Sequence, residues 1–162
     1  TGKIKNWITF EALRNAISPL KTIETMRTIN LGTANRNPLN IRYSAANRWL
    51  GLHPVTPNVK GFCKFIAPVY GYRAAVVLMK TYMRRYGLDT PAGIISRWAP
   101  PKENRTELYI ACVCGRSRLG RDERITAEGP ELARLIAAMA RQETGARITP
   151  EGVDDIRRKF NV

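Results

Sequence analysis

The clearest periodicity in the chain runs from Val69 to Tyr86. Tyr72, Ala75, Val76, Met79, Tyr82, Met83 and Tyr86 recur three and four positions apart there. That spacing predicts one apolar face of an α-helix. Pro68 suits its first turn, where a missing N–H costs nothing, and Gly87 suits its C-cap. A second helix is expected from Thr90 to about Trp98. Thr90 can accept from the free amides of the first turn, Pro91 takes the first helical position, and Pro100-Pro101 stops it. A third is expected from about Thr106, as N-cap, to Cys114, with Gly115 and Gly120 marking a loop. Pro130–Glu143 is the strongest, with Gly145 near its C-cap, and Thr149-Pro150 opens a short last helix. Near the start, Trp7–Ser18 reads as a short helix stopped near Pro19.

Leu31 to Gly61 has no helical period. Gly32, Pro38, Gly51, Pro54 and Pro57 are interleaved with Thr33, Asn35, Asn37, Asn40, Thr56 and Asn58. That is turn chemistry, with a short extended piece at Asn40–Tyr43. A loop this long in a compact domain is usually functional. The expected fold is therefore mainly α: five or six helices, one long polar loop, and little or no sheet. Residues 1–30 are expected to form an N-terminal helical extension to a domain over 31–162. No internal repeat or linker breaks the pattern.

The chain has 162 residues, 44% of them hydrophobic, which suits one ordinary domain with its own core. No apolar run approaches the roughly 18 residues of a membrane span. No signal peptide is visible, although the chain starts at Thr1 and leaves a removed leader open. Cys63, Cys112 and Cys114 are odd in number and lack framework spacing, and His53 is the only histidine. A zinc set is not expected from them. Reduced, packed thiols suit synthesis in a cytoplasm. No cofactor or metal is expected, and the chain is read as a monomer.

Charge changes the picture. Lys and Arg number 27 against 13 Asp and Glu, a net charge of +14. Such a field favours an anionic partner: nucleic acid, a membrane surface or cell-wall polymer. From Thr1 to Gly120 there are 19 basic and 5 acidic residues, and from Arg121 to Val162 there are 8 of each. A polyanion-facing surface is thus expected in the first three-quarters. The plainer reading is an Arg-rich, well-solvated surface.

One carboxylate is oddly placed. On a wheel at about 100° per residue, Leu132, Leu135, Ile136 and Met139 form a stripe of about 100°, with Arg134 and Arg141 opposite. Glu143 falls inside the stripe and at the helix C-terminus. Burial and the negative end of the helix dipole both disfavour its charged form. A carboxyl that stays protonated near neutral pH is what a general acid needs. The competing reading is a frayed last turn with Glu143 in solvent. Glu103 is the second candidate acid, held between Pro100-Pro101 and a helix start, where an acidic residue can also be merely stabilising. Glu11 and Glu24 look like ordinary helix-surface residues.

Asn35, Asn37, Asn40 and Arg42 bring amides and guanidinium to one loop, chemistry that suits glycan hydroxyls, acetamido groups and lactyl carboxylates. Tyr43, Trp49 and Trp98 could offer apolar faces to sugar rings, or simply fill the core.

Asn37-Pro-Leu-Asn-Ile-Arg42 resembles the NNPGNIR signature of a family of phage-virion and prophage proteins regarded as muralytic. The resemblance continues through Gly61-Phe-Cys-Lys-Phe65, Tyr70-Gly-Tyr-Arg-Ala-Ala75, Ile95 to Ile110, and Ala138-Met-Ala-Arg-Gln-Glu-Thr-Gly145. This chain departs from the signature at Leu39, where Gly is usual, and at Arg36, where Asn is common. Ala140-Arg-Gln-Glu-Thr-Gly145 is also similar to the Glu-Ser-Gly element of lysozyme-like lytic transglycosylases, whose Glu is the catalytic acid. Trp98-Ala-Pro-Pro and Thr106-Glu-Leu-Tyr-Ile110 are similar to their later segment. The order is reversed here, which implies a circularly permuted lysozyme-like domain.

The resemblance implies an enzyme cleaving the β-1,4 bond between N-acetylmuramic acid and N-acetylglucosamine. Glu143 or Glu103 would be the acid. Asn35, Asn37, Asn40, Arg42, Tyr43, Trp98, Asn104, Thr106 and Tyr109 would bind substrate, and Arg42, Arg48 and Arg73 would hold the anionic polymer. Peptidoglycan strands are then the expected partner, with virion proteins a further one and the cell wall the site of action. The alternative is a non-enzymatic basic protein of a virion or mobile element that binds nucleic acid or cell wall. Aromatic residues are not interleaved with the basic ones, as nucleic-acid stacking platforms require. A third reading, a wall amidase or peptidase, lacks a metal set, and nothing orients His53 for a cysteine nucleophile.

Overall fold

The computed structural model describes residues 30–162. The expected helix at Trp7–Ser18, the N-terminal extension, Glu11 and Glu24 lie outside the described residues. The described chain is mainly helical, as expected. In order it forms α1 (Leu31–Ala34), β1 (Asn58–Val59), β2 (Phe62–Cys63), α2 (Pro68–Tyr86), α3 (Pro91–Trp98), α4 (Thr106–Ser117), α5 (Pro130–Thr144) and α6 (Pro150–Phe160).

The caps lie where proline, glycine and threonine predicted them. Gly87 closes α2 at φ 64 and Gly145 closes α5 at φ 75, left-handed conformations that cost glycine little. The Thr90 hydroxyl accepts from the Gly93 amide at the start of α3, and Thr149 does the same for Gly152 in α6. Two expectations at α4 fail. Thr106 is not its N-cap: Arg105 holds that position, and the Thr106 hydroxyl donates to the Ala99 carbonyl. Nor does Gly115 end the helix, which runs on until Arg118 takes φ 55 as C-cap.

The long loop holds more structure than its composition announces. Asn30 caps the four-residue α1 through its side chain. β1 and β2 pair antiparallel, Asn58 with Cys63 and Val59 with Phe62. The turn between them places Lys60 at φ 53 and Gly61 at φ 86, the two positive φ values of a tight hairpin. The extended piece expected at Asn40–Tyr43 reduces to a single bridge from Arg42 to Phe62.

α5 is the centre of the core and packs against α1, α2, α4 and α6. Its burial is wider than the predicted stripe. Ala133, Ala137, Ala138 and Ala140 are buried along with Leu132, Leu135, Ile136 and Met139, because alanine lets neighbouring helices close on its flanks. Leu39, the departure from the signature glycine, is fully buried in this core and keeps a negative φ. Its side chain therefore fills space inward. Arg36, by contrast, has φ 52, a conformation Asn adopts more readily, and its guanidinium reaches the Ile66 carbonyl.

Candidate functional site

The last turn of α5 carries Glu143, which is only 4% exposed. The frayed-turn reading is thus replaced by a packed one. Two donors converge on Oε1: the indole Nε1 of Trp98 and the hydroxyl of Tyr109, each at 3.0 Å. Oε2 meets the Asn40 side-chain amide at 3.2 Å. Burial, and then the charge and hydrogen bond of Glu143, hold the Tyr109 phenol well above its ordinary pKa, so it remains a donor.

The loop before Ile41 is docked onto this helix end. The final carbonyls of an α-helix have no partner within it, and here the loop supplies them. Asn40 also donates to the Glu143 carbonyl at 3.3 Å, and Asn30 to that of Thr144 at 2.9 Å. The Thr144 hydroxyl donates back to the Pro38 carbonyl at 2.9 Å. Gly32 allows the approach, since a Cβ there would overlap Thr144 Cγ2 and Asn40 Oδ1.

A cleft of about 450 Å³ opens above, and Asn40, Arg42, Tyr43, Trp49, Trp98 and Glu103 are among its lining. Glu143 is not: Asn40 and Trp98 stand between it and the opening. Arg42 pairs with Glu103 at 2.7 Å, both half-exposed, so the two form a polar wall. Tyr82 and Arg97 also line it, the guanidinium 5.1 Å from the Tyr82 ring and 3.7 Å from the Tyr86 ring.

The predicted residues divide. Asn40, Arg42, Tyr43, Trp98 and Glu103 meet in the cleft, and Tyr109 lies beneath it beside Glu143. Asn37 does not reach the cleft. It is fully buried, donates to the Ile41 and Cys63 carbonyls and accepts from the Ile41 amide, which fixes the loop. Asn35 is buried too, its carbonyl taken by the Phe65 amide and its Nδ2 without a hydrogen-bond partner among the described residues. Asn104 donates to the Pro100 carbonyl and Thr106 to that of Ala99, so they stitch the turn carrying Glu103, and neither is in the cleft lining. Arg73 lies against the Phe160 ring, away from the cleft lining, and Arg48 is exposed outside that lining.

Sequence reasoning missed Asn30 and Thr144, whose partners lie more than a hundred positions away. It also read Tyr82 as core when it borders the cleft; nothing in a helical period marks such an edge. Among the described residues no His, Cys, Asp and Glu group could hold a metal ion. Burial pushes the Cys63 thiol up to about 11, and His53 Nδ1 accepts from the Val55 and Thr56 amides. A cysteine–histidine nucleophile finds no support there.

No protein-family model matches the chain. Protein P5 of Pseudoalteromonas phage PM2 is 35% identical to it over 154 residues, covering 94% of this chain and 91% of that protein.

Proposed function

The chain belongs to the family of Protein P5 of phage PM2, and from that premise we propose that it is a phage-derived enzyme that cleaves the glycan strands of peptidoglycan. One observation carries this reading. A buried carboxyl is fixed at one oxygen by two donors and turns its other oxygen toward an amide on the wall of a polar cleft.

Glu143 is the proposed acid, acting through Oε2. The substrate's glycosidic oxygen takes the place of the Asn40 contact, receives the proton, and the bond from C1 to that oxygen breaks. The C6 hydroxyl then attacks C1 and returns its proton to Glu143, leaving a 1,6-anhydro sugar and a restored acid. Glu103 is the second carboxylate of the cleft, and a hydrolytic outcome would use it to activate water. Arg42 and the amide of Asn40 suit lactyl and acetamido groups, and Tyr43, Trp49 and Trp98 offer apolar faces for sugar rings. The motif resemblance adds a permuted lysozyme-like arrangement, delivery with the virion, and the bond between N-acetylmuramic acid and N-acetylglucosamine as target.

Loss of turbidity of purified peptidoglycan tests the assignment. Glu143→Gln is expected to slow clearing by a factor of about 100 or more, the scale of general acid catalysis. Full activity in that variant would end the assignment, and loss in Glu103→Gln alone would move the acid to Glu103. Mass spectrometry of the products separates anhydro from reducing ends.

A further inference from the structure

A second groove, of about 680 Å³, is lined by Arg116, Arg118, Arg134, Arg141 and Arg147, and by no carboxylate. At about 100° per residue, Arg134 and Arg141 lie roughly 160–180° around α5 from Glu143. The helix therefore separates this groove from the candidate cleft.

Three of the five guanidinium groups are held by neutral acceptors. Arg116 donates to Gln142 Oε1 at 2.7 Å, Arg134 to the Ser117 carbonyl at 3.4 Å and Arg141 to the Gly145 carbonyl at 3.0 Å. Their direction is fixed while their charge stays whole. None of the five pairs with a carboxylate among the described residues. The helix dipole accounts for Arg116 and Arg141 in last turns. It does not account for Arg134, which is mid-helix, or for Arg147, which lies beyond α5.

The acids that make the last segment neutral by count stand elsewhere. Glu128 pairs with Lys80 and Arg84, and Asp154 and Asp155 with Arg157 and Arg158. Charges that cancel in the sequence are thus separated in space, which the segment count could not show. Like charges gathered without counter-charge repel and destabilise the compact state, and a bound polyanion relieves that repulsion.

We infer that this groove binds the phosphodiester backbone of duplex nucleic acid, without regard to base sequence. Guanidinium offers paired donors that match phosphate oxygens. Between the arginines lie Ala137, Ala138, Ala146, Ile148 and Pro150, with no aromatic face on which an unpaired base or a sugar ring could stack. That favours a duplex over single strands and over glycan. The site is independent of the Glu143 reading and uses none of its residues.

The test is fluorescence anisotropy of a labelled duplex of about two helical turns with the full chain, across a salt series. Engagement of all five arginines gives a log–log salt slope of about 4 to 5, hence roughly 500-fold weaker binding at fourfold higher salt. Arg134→Gln, Arg141→Gln and Arg147→Gln together should weaken binding at least about tenfold and lower the slope by about 2 to 3. Lys60→Gln, Arg85→Gln and Lys102→Gln remove the same charge elsewhere and should cost less than about threefold. The three corresponding Arg→Lys changes should keep most of the affinity, which separates charge from folding. Equal loss in the two Gln triples would overturn the inference, as would absence of duplex binding at low salt. Loss by the Arg triple only of retention on purified cell walls would overturn it too. Glu143→Gln should bind the duplex as the wild type does.

Discussion

Glu143 gives each of its oxygens a different neighbour. Oε1 is fixed by Trp98, whose indole can only donate, and by Tyr109, whose hydroxyl can also accept. Tyr109→Phe removes one of these bonds inside a sealed pocket and is expected to cost about 1–2 kcal/mol in urea unfolding. The slope of the unfolding curve should not change, because the fold is kept. The anomaly of a carboxylate in an apolar stripe was legible on a helical wheel. The donors around it were not, since Tyr109, Trp98 and Asn40 lie 34, 45 and 103 positions away. Asn40 and Asn37 sit three apart in one loop, yet one lines the cleft and the other is locked behind it. Only the backbone path decides that, and residue type does not record it.

Among the elements, the helices were readable because their signals are local. Period, Pro at the first turn, Gly at the cap and Thr at the N-cap placed α2, α3 and α5, and the start of α6, to within a residue or two. α4 overran its predicted end because Arg118 accepted a left-handed conformation that the sequence does not advertise. α1 escaped notice because it is four residues long and depends on Asn30 and on docking against α5. That docking has a direct test. Gly32→Ala forces a methyl against Thr144 and Asn40 and should cost about 1–3 kcal/mol as overpacking, seen as a lower melting temperature. Peptidoglycan clearing should fall as well, because the same displacement shifts Asn40 in the cleft wall, where its amide would meet the substrate. A variant that melts earlier but clears normally would separate loop docking from the site.

For the whole molecule, the fold class was legible from composition and period, whereas the placement of charge was not. Burial also sets a pH response. It pushes the Cys63 thiol from 9.0 to about 11 and the Tyr72 phenol from 10.0 to about 12, and burial together with Glu143 holds the Tyr109 phenol well above its ordinary value. These groups are neutral when folded and ionise more readily when unfolded. Their contribution to stability is whole below about pH 9 and is lost as pH rises through about 11 and toward 12. The urea midpoint should therefore hold to about pH 9 and then decline, and Cys63→Ala should lessen the earliest part of the decline, to which the Cys114 thiol, also raised by burial, contributes as well.

The docking of the loop on the end of α5 also decides when the site exists. Helices can form from neighbours in the chain, within microseconds. The Asn30, Pro38 and Asn40 contacts instead close loops of more than a hundred residues, and such closures come late because their entropy is lost before any contact rewards it. Trp98 and Tyr109 can fix Oε1 earlier, but Oε2 has no fixed neighbour until the loop has met the end of α5. In refolding, helical signal should return before lytic activity, with the gap between them marking the moment the loop seats.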